Sequence, residues 1–154
     1  MYKLIGCKYL SCKCHYKCCD HVDSSYYLFM YPGEFESSRL YKEHIQIIGE
    51  KYGAMLGKCK CTINERKKCD GRERFKPLDC WSYPFFPKIV DGELTLKIDS
   101  IRCPLSSSFD LREHYNQIFE KWSNLIRNKE IYKCIEKISI KNYTDYMLPF
   151  EKET

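Results

Sequence analysis

Apolar residues along this chain repeat with a period near two in some stretches and near 3.6 in others, and two long stretches show no period at all. Ser24–Tyr31 is short and aromatic and reads as a strand or extended segment stopped by Pro32-Gly33. From Glu34 the spacing of Tyr41, His44, Ile45, Ile48 and Tyr52 predicts a helix, with acids in its first turn and Gly53 as its stop. Leu94, Leu96 and Ile98 alternate with polar residues behind Asp91-Gly92, which predicts a strand in a hairpin with the segment before it. The strongest helical face joins Leu111, Tyr115, Ile118, Phe119, Trp122, Leu125 and Ile126. Ser107 or Ser108 is placed to cap it, and Asp110 and Glu113 suit the positive helix end. Ile135, Ile138 and Ile140 suggest a final strand.

The two aperiodic stretches, 1–23 and 57–88, hold most of the cysteines. The expected fold is therefore α+β: a small irregular domain with two main helices, a few short antiparallel strands and long metal-organised cysteine loops. The length of 154 residues fits one domain, with at most an appended subdomain. Hydrophobic residues at 44% and aromatics at 15% describe a folded globular chain, not a disordered tail. No apolar run approaches the ~20 residues of a membrane span.

Eleven cysteines in this length demand a chemical account, since free thiols are usually solitary core residues. Five fall between Cys7 and Cys19, four of them in a run that reads Cys-Lys-Cys-His-Tyr-Lys-Cys-Cys-Asp-His from Cys12. The rest are Cys59, Cys61, Cys69, Cys80, Cys103 and Cys134. A disulfide framework fits poorly. The opening Met-Tyr-Lys-Leu-Ile-Gly-Cys has no apolar core of a secretory signal, and an odd count leaves one thiol over. Thiolate–metal ligation in a reducing cytoplasm is the better expectation.

The formal charge of +5 treats cysteines as neutral. Eight thiolates around two divalent ions would lower it to about +1. The basic residues are also interleaved with acids, so nucleic acid is not the expected partner. Adjacent Cys18 and Cys19 point apart if extended, so together they suit two metals better than one tetrahedral ion.

Part of the chain resembles a known family. Cys14-x-x-x-Cys18-Cys19, the following aromatic strand and Tyr31-Pro32-Gly33-Glu34 resemble the opening of the zinc- or iron-chelating CxxCxxCC cysteine-cluster proteins, often called YkgJ-like. Cys61, Cys69-Asp70-Gly71, the run from Phe75 through Cys80 to Pro87, and Cys103-Pro104 resemble its later half, over roughly 7–125. Residues 126–154 would be a C-terminal extension. Lys76 and Trp81 stand where the family has arginines. The resemblance implies Cys14, Cys18, Cys19, Cys61, Cys69, Cys80 and Cys103 as metal ligands, with Cys12 or Cys7 as the first. The ligand set carried forward is Cys12, Cys14, Cys18, Cys19, Cys61, Cys69, Cys80 and Cys103. Cys59 is a weaker candidate, as are His15 and His21; His44, His114 and Cys134 read as structural.

Zinc and a [4Fe-4S] cluster both suit all-sulfur ligation. A more distant resemblance to the cysteine motif of flagellin lysine methylases implies a [4Fe-4S] cluster and S-adenosylmethionine. That activity does not transfer, because no methyl-donor site is recognisable. The expected function is a small cytoplasmic metal-binding protein with a metal ion or cluster as partner, and room for a protein partner. The alternatives are an iron–sulfur redox or group-transfer enzyme and a zinc-stabilised interaction module. No phosphate loop, nucleophile elbow or His-Glu-x-x-His pair is present.

Overall fold

The computed structural model describes residues 27–60, 77–99, 111–138 and 143–146. The expected α+β class holds. Four α-helices and two three-stranded antiparallel sheets are present among the described residues. The chain divides into two compact units, Met1–Trp81 and Ser82–Thr154.

In the first unit, β1 (Leu28–Met30) ends at a Pro32-Gly33 turn closed by Glu34 N on Tyr31 O at 2.9 Å. A single 3-10 turn, Phe35–Ser37, leads to α1 (Arg39–His44). Ser38 caps α1, its hydroxyl oxygen accepting from Leu40 N at 3.2 Å. The helix expected to run on to Gly53 stops at His44. Ile45–Lys51 forms β2 instead, joined by Tyr52-Gly53 to β3 (Ala54–Cys59). The run Ile-Gln-Ile-Ile is β-branched and sheet-favouring. Tyr52 and Gly53 both have positive φ (56° and 87°), as a two-residue type I′ hairpin requires. What read as a helix stop is a strand-to-strand turn.

The first sheet has the order β1-β3-β2. Its register pairs Leu28 with Gly57, Met30 with Met55, Ile45 with Cys59 and Ile47 with Gly57. Paired and alternate residues share a face, so Leu28, Met30, Ile45, Ile47, Met55, Gly57 and Cys59 all lie on one side. That side is the core: Leu28, Met30, Tyr41 and Ile45 are buried, with Phe35, Ile47, Met55 and Cys80 packed against them.

Residues 57–88, expected as loop, are partly regular. β3 runs through Cys59, α2 spans Leu78–Ser82 and β4 spans Phe85–Val90. The aromatic-proline run Tyr83–Pro87 is buried, its last three residues in β4.

In the second unit, β4 pairs with β5 (Glu93–Asp99), which pairs with β6 (Tyr143–Asp145). The Asp91-Gly92 hairpin is as expected, with φ of 51° and 80° and Val90 opposite Glu93. α3 (Arg112–Leu125) buries Ile118 and Trp122, each worth roughly 1.5–3 kcal/mol. Its N-cap is Leu111, with no side-chain cap; Ser107 and Ser108 lie outside the described residues. Ile135, expected in a final strand, lies instead in a helix, α4 (Lys129–Lys137), which buries Ile131, Cys134 and Ile135 and has Ile138 as its C-cap; Ile140 lies outside the described residues. Asn128 caps it, its Oδ1 accepting from Glu130 N at 2.9 Å and Ile131 N at 3.2 Å.

The carbonyls of the turn into β4 are all bonded within this unit. Tyr83 O meets His114 Nε2 at 2.9 Å, and Pro84 O accepts from Asp99 N at 2.8 Å. Ser82 Oγ donates to Phe85 O at 2.7 Å and accepts from Trp122 Nε1 at 3.1 Å. His114, expected as structural, is buried in that role.

Candidate metal centre

Cys80 is the one member of the expected ligand set within the described residues. Cys12, Cys14, Cys18, Cys19, Cys61, Cys69 and Cys103 lie outside them, as do Cys7, His15 and His21. Cys80 sits in α2, a helix too short to hold itself in water. Two carboxylates fix it. Glu34, only 9% exposed, accepts from Tyr31 N at 3.0 Å through Oε1 and from Leu78 N at 2.7 Å through Oε2. Asp79 Oδ2 accepts from Phe29 N at 2.9 Å. One acid thus joins the Pro-Gly turn to the start of α2, and the other joins α2 to β1. Charge-assisted bonds to backbone N–H groups are among the stronger hydrogen bonds. Trp81 N closes the α2 turn on Pro77 O at 2.8 Å, leaving the Trp81 side chain half-buried.

Cys80 is half-buried against the core face of the first sheet. Tyr41 lies in that core, and burial pushes its phenol up to about 12, helped by the nearby negative charges of Glu34 and Cys80. Tyr41 therefore remains a neutral hydroxyl at any physiological pH. Cys59 ends β3, half-buried, on the face that carries Ile45 and Met55. Among the three described cysteines, Cys134 differs from the other two in burial. It is 1% exposed among α4's apolar residues, and desolvation raises its thiol to about 11 against a smaller opposing pull from Lys137. That environment suits an inert core thiol, as expected for it.

The topology brings the ends of two of the cysteine-bearing segments together. β1 and β2 both run antiparallel to β3, so Leu28, Ile45 and Cys59 share one end of the sheet, opposite the Tyr52-Gly53 turn. Lys60 N bonds His44 O at that end at 2.8 Å. The chain that carries Cys7–Cys19 enters at Tyr27, and the chain that carries Cys61 and Cys69 leaves at Lys60. α2, which carries Cys80, is tied to Phe29 one residue into β1. Among the described residues no group of three or more His, Cys, Asp or Glu side chains is assembled to hold a metal.

Sequence reasoning singled out Cys80 and noted Glu34 only as a motif acid that could equally open a helix; it missed Asp79 and ranked Cys59 low. The alternation Ile45-x-Ile47 against Met55-x-Gly57-x-Cys59 was the available signal, and it becomes readable only once β2 is recognised as a strand. Among the described residues no helix is long and apolar enough to cross a membrane. Comparison with protein-family models, curated proteins and solved structures yields no match.

Proposed function

We propose that this chain is a small cytoplasmic metal-binding protein of the CxxCxxCC type, its cysteine thiolates holding zinc or an iron–sulfur cluster. The observation that carries the reading is the shared sheet end, where the chain from Cys7–Cys19 enters β1 and the chain to Cys61 and Cys69 leaves β3, with α2 and its Cys80 tied to the same β1 strand through Phe29. A tetrahedral thiolate site draws its ligands from such converging segments. Cys80, held by Glu34 and Asp79, would be one ligand, and the expected set of Cys12, Cys14, Cys18, Cys19, Cys61, Cys69, Cys80 and Cys103 holds enough thiolates for two four-coordinate sites. Bound metal would give Lewis-acid or electron-transfer capacity; the chain's own part is to place Cys80 and to keep a neutral Tyr41 hydroxyl beside it.

Anaerobic purification with elemental analysis and an absorption spectrum tests this. A brown protein containing iron and sulfide identifies the cluster, and a colourless one containing zinc identifies the ion. Cys80→Ser is expected to lower metal content in either case. A full-length chain that binds neither, as isolated or after anaerobic reconstitution, refutes the reading.

A further inference from the structure

We propose that Tyr41 is the positioning residue of this metal centre, its hydroxyl donating a hydrogen bond to the Cys80 sulfur when that sulfur is a metal-bound thiolate. This deepens the metal-binding reading above and rests on it.

Tyr41 is the residue that α1 buries, and it lies in the cluster with Leu28, Met30 and Ile45 against which Cys80 packs. Glu34 is drawn to the same place, because its Oε2 accepts from Leu78 N at the start of the helix that carries Cys80. Burial is the main cause of the raised Tyr41 phenol, and the negative charges of Glu34 and then Cys80 add to it. Both groups therefore lie within electrostatic reach of the hydroxyl, and the shared core cluster is what brings them there.

Apolar packing alone would be served by phenylalanine at this position, since a hydroxyl taken out of water costs free energy unless it finds an acceptor. Two acceptors lie near it. The Glu34 oxygens each take a backbone N–H already, Oε1 from Tyr31 and Oε2 from Leu78. The Cys80 sulfur is a weak acceptor as a thiol and a charged, stronger one as a thiolate. Metal ligation makes it the second: the S–H proton leaves to solvent as the metal–sulfur bond forms. Hydrogen-bond partners of this kind orient a ligand, and their loss costs roughly 10–100-fold in metal affinity.

The test uses the full-length reduced chain with Zn²⁺ as the probe and compares wild type with Tyr41→Phe, which keeps the ring and removes the hydroxyl. Affinity is read by competition with a chromophoric chelator, and the reactivity of Cys80 by iodoacetamide labelling and mass spectrometry. Tyr41→Phe is expected to weaken zinc binding about tenfold. At saturating zinc it should also speed labelling at Cys80, because a thiolate relieved of its donor is the better nucleophile, with Cys134 unchanged. A hydroxyl that serves only the core would lower the urea midpoint of the metal-free chain and leave both readouts unmoved, and that result overturns the proposal. Zinc bound by the wild type without protection of Cys80 also overturns it, while leaving the metal-binding reading intact. A chain that takes up no zinc under any condition overturns both. One further measurement needs no substitution: the Tyr41 hydroxyl proton of the wild-type chain, followed by NMR, should shift when zinc is added, and a resonance that stays in place overturns the proposal.

Discussion

Gly57→Ala probes the core face of the first sheet most directly. A Cβ at this position would stand 2.7 Å from Ile45 Cγ2, with Gln46 O at 3.5 Å and Ile47 Cδ1 at 3.7 Å. Only the first contact is a clash, since carbon pairs prefer roughly 3.5–4.0 Å. Ile45 is β-branched and stiff at χ1, so its methyl cannot swing aside cheaply. It is also 3% exposed and hemmed in by Leu28, Met30 and Tyr41. Overpacking of this kind costs about 1–3 kcal/mol. Removing glycine's freedom in the unfolded chain offsets about 0.4–1 kcal/mol of that. The net expectation is a destabilisation of about 1–2 kcal/mol, read as a urea midpoint lowered by roughly 0.5–1 M. The decisive measurement is the double-mutant cycle with Ile45→Ala, run with a stabilising osmolyte because that change alone costs about 2–5 kcal/mol. Once Ile45 Cγ2 is gone, Gly57→Ala should become neutral or stabilising. Equal effects of Gly57→Ala in both backgrounds would refute the placement of Ile45 over Gly57.

Three other expectations follow from single contacts. Glu34→Gln keeps the shape but turns an amide N–H₂ toward a backbone donor, Tyr31 N or Leu78 N, costing about 1–3 kcal/mol; hydrogen exchange at Leu78–Trp81 should quicken, and unchanged protection there would show that the carboxylate does not hold α2. Ser82→Ala strands the buried Trp122 Nε1–H and should cost about 1–3 kcal/mol with a shift in Trp122 emission, read in a Trp81→Phe background; an unaltered emission and midpoint would contradict the bond. Cys134 has a folded pKa raised from 9.0 to about 11, so its contribution is fully present below pH 9 and is lost as pH climbs towards 11. Cys134→Ala should flatten the stability profile across that window at some cost in packing, and a profile of the same slope would count against the burial of the thiol.

The parts legible in the sequence were those with a local cause. Asp91-Gly92 between alternating apolar residues could only be a hairpin, and the face from Leu111 to Ile126 was long enough to be unambiguous. Residues 45–52 misled because Tyr41, His44, Ile45, Ile48 and Tyr52 fit a helical spacing as well as β2 fits a strand. The turn that settles the matter needs Tyr52 at positive φ, an uncommon conformation for a bulky residue. At the other end of the chain, Ile135, Ile138 and Ile140 suggested a strand. Ile131, Cys134, Ile135 and Ile138 are equally a helical stripe, and Asn128 as its cap was the overlooked sign. The candidate site divides in the same way. Cys80 was marked by its local run, whereas the acids that hold it act over long separations, Glu34 on Leu78 and Asp79 on Phe29. Cys59 acquires its face only through pairing with Ile45, which no local pattern encodes.

The two-residue turns at Tyr52-Gly53 and Asp91-Gly92 also bear on the order in which the chain folds. Each closes a hairpin of neighbouring strands, β2 with β3 and β4 with β5, a search that takes about 1–10 μs. The third strand of each sheet arrives from far away: Leu28 must find Gly57, and Asp145 must find Lys97. Such distant closures carry the larger entropic cost and set the pace. Each hairpin is thus a template that waits for its edge strand. In the first sheet that strand is β1, so the chain carrying Cys7–Cys19 is brought to the sheet end where Cys59 stands only in the slow step.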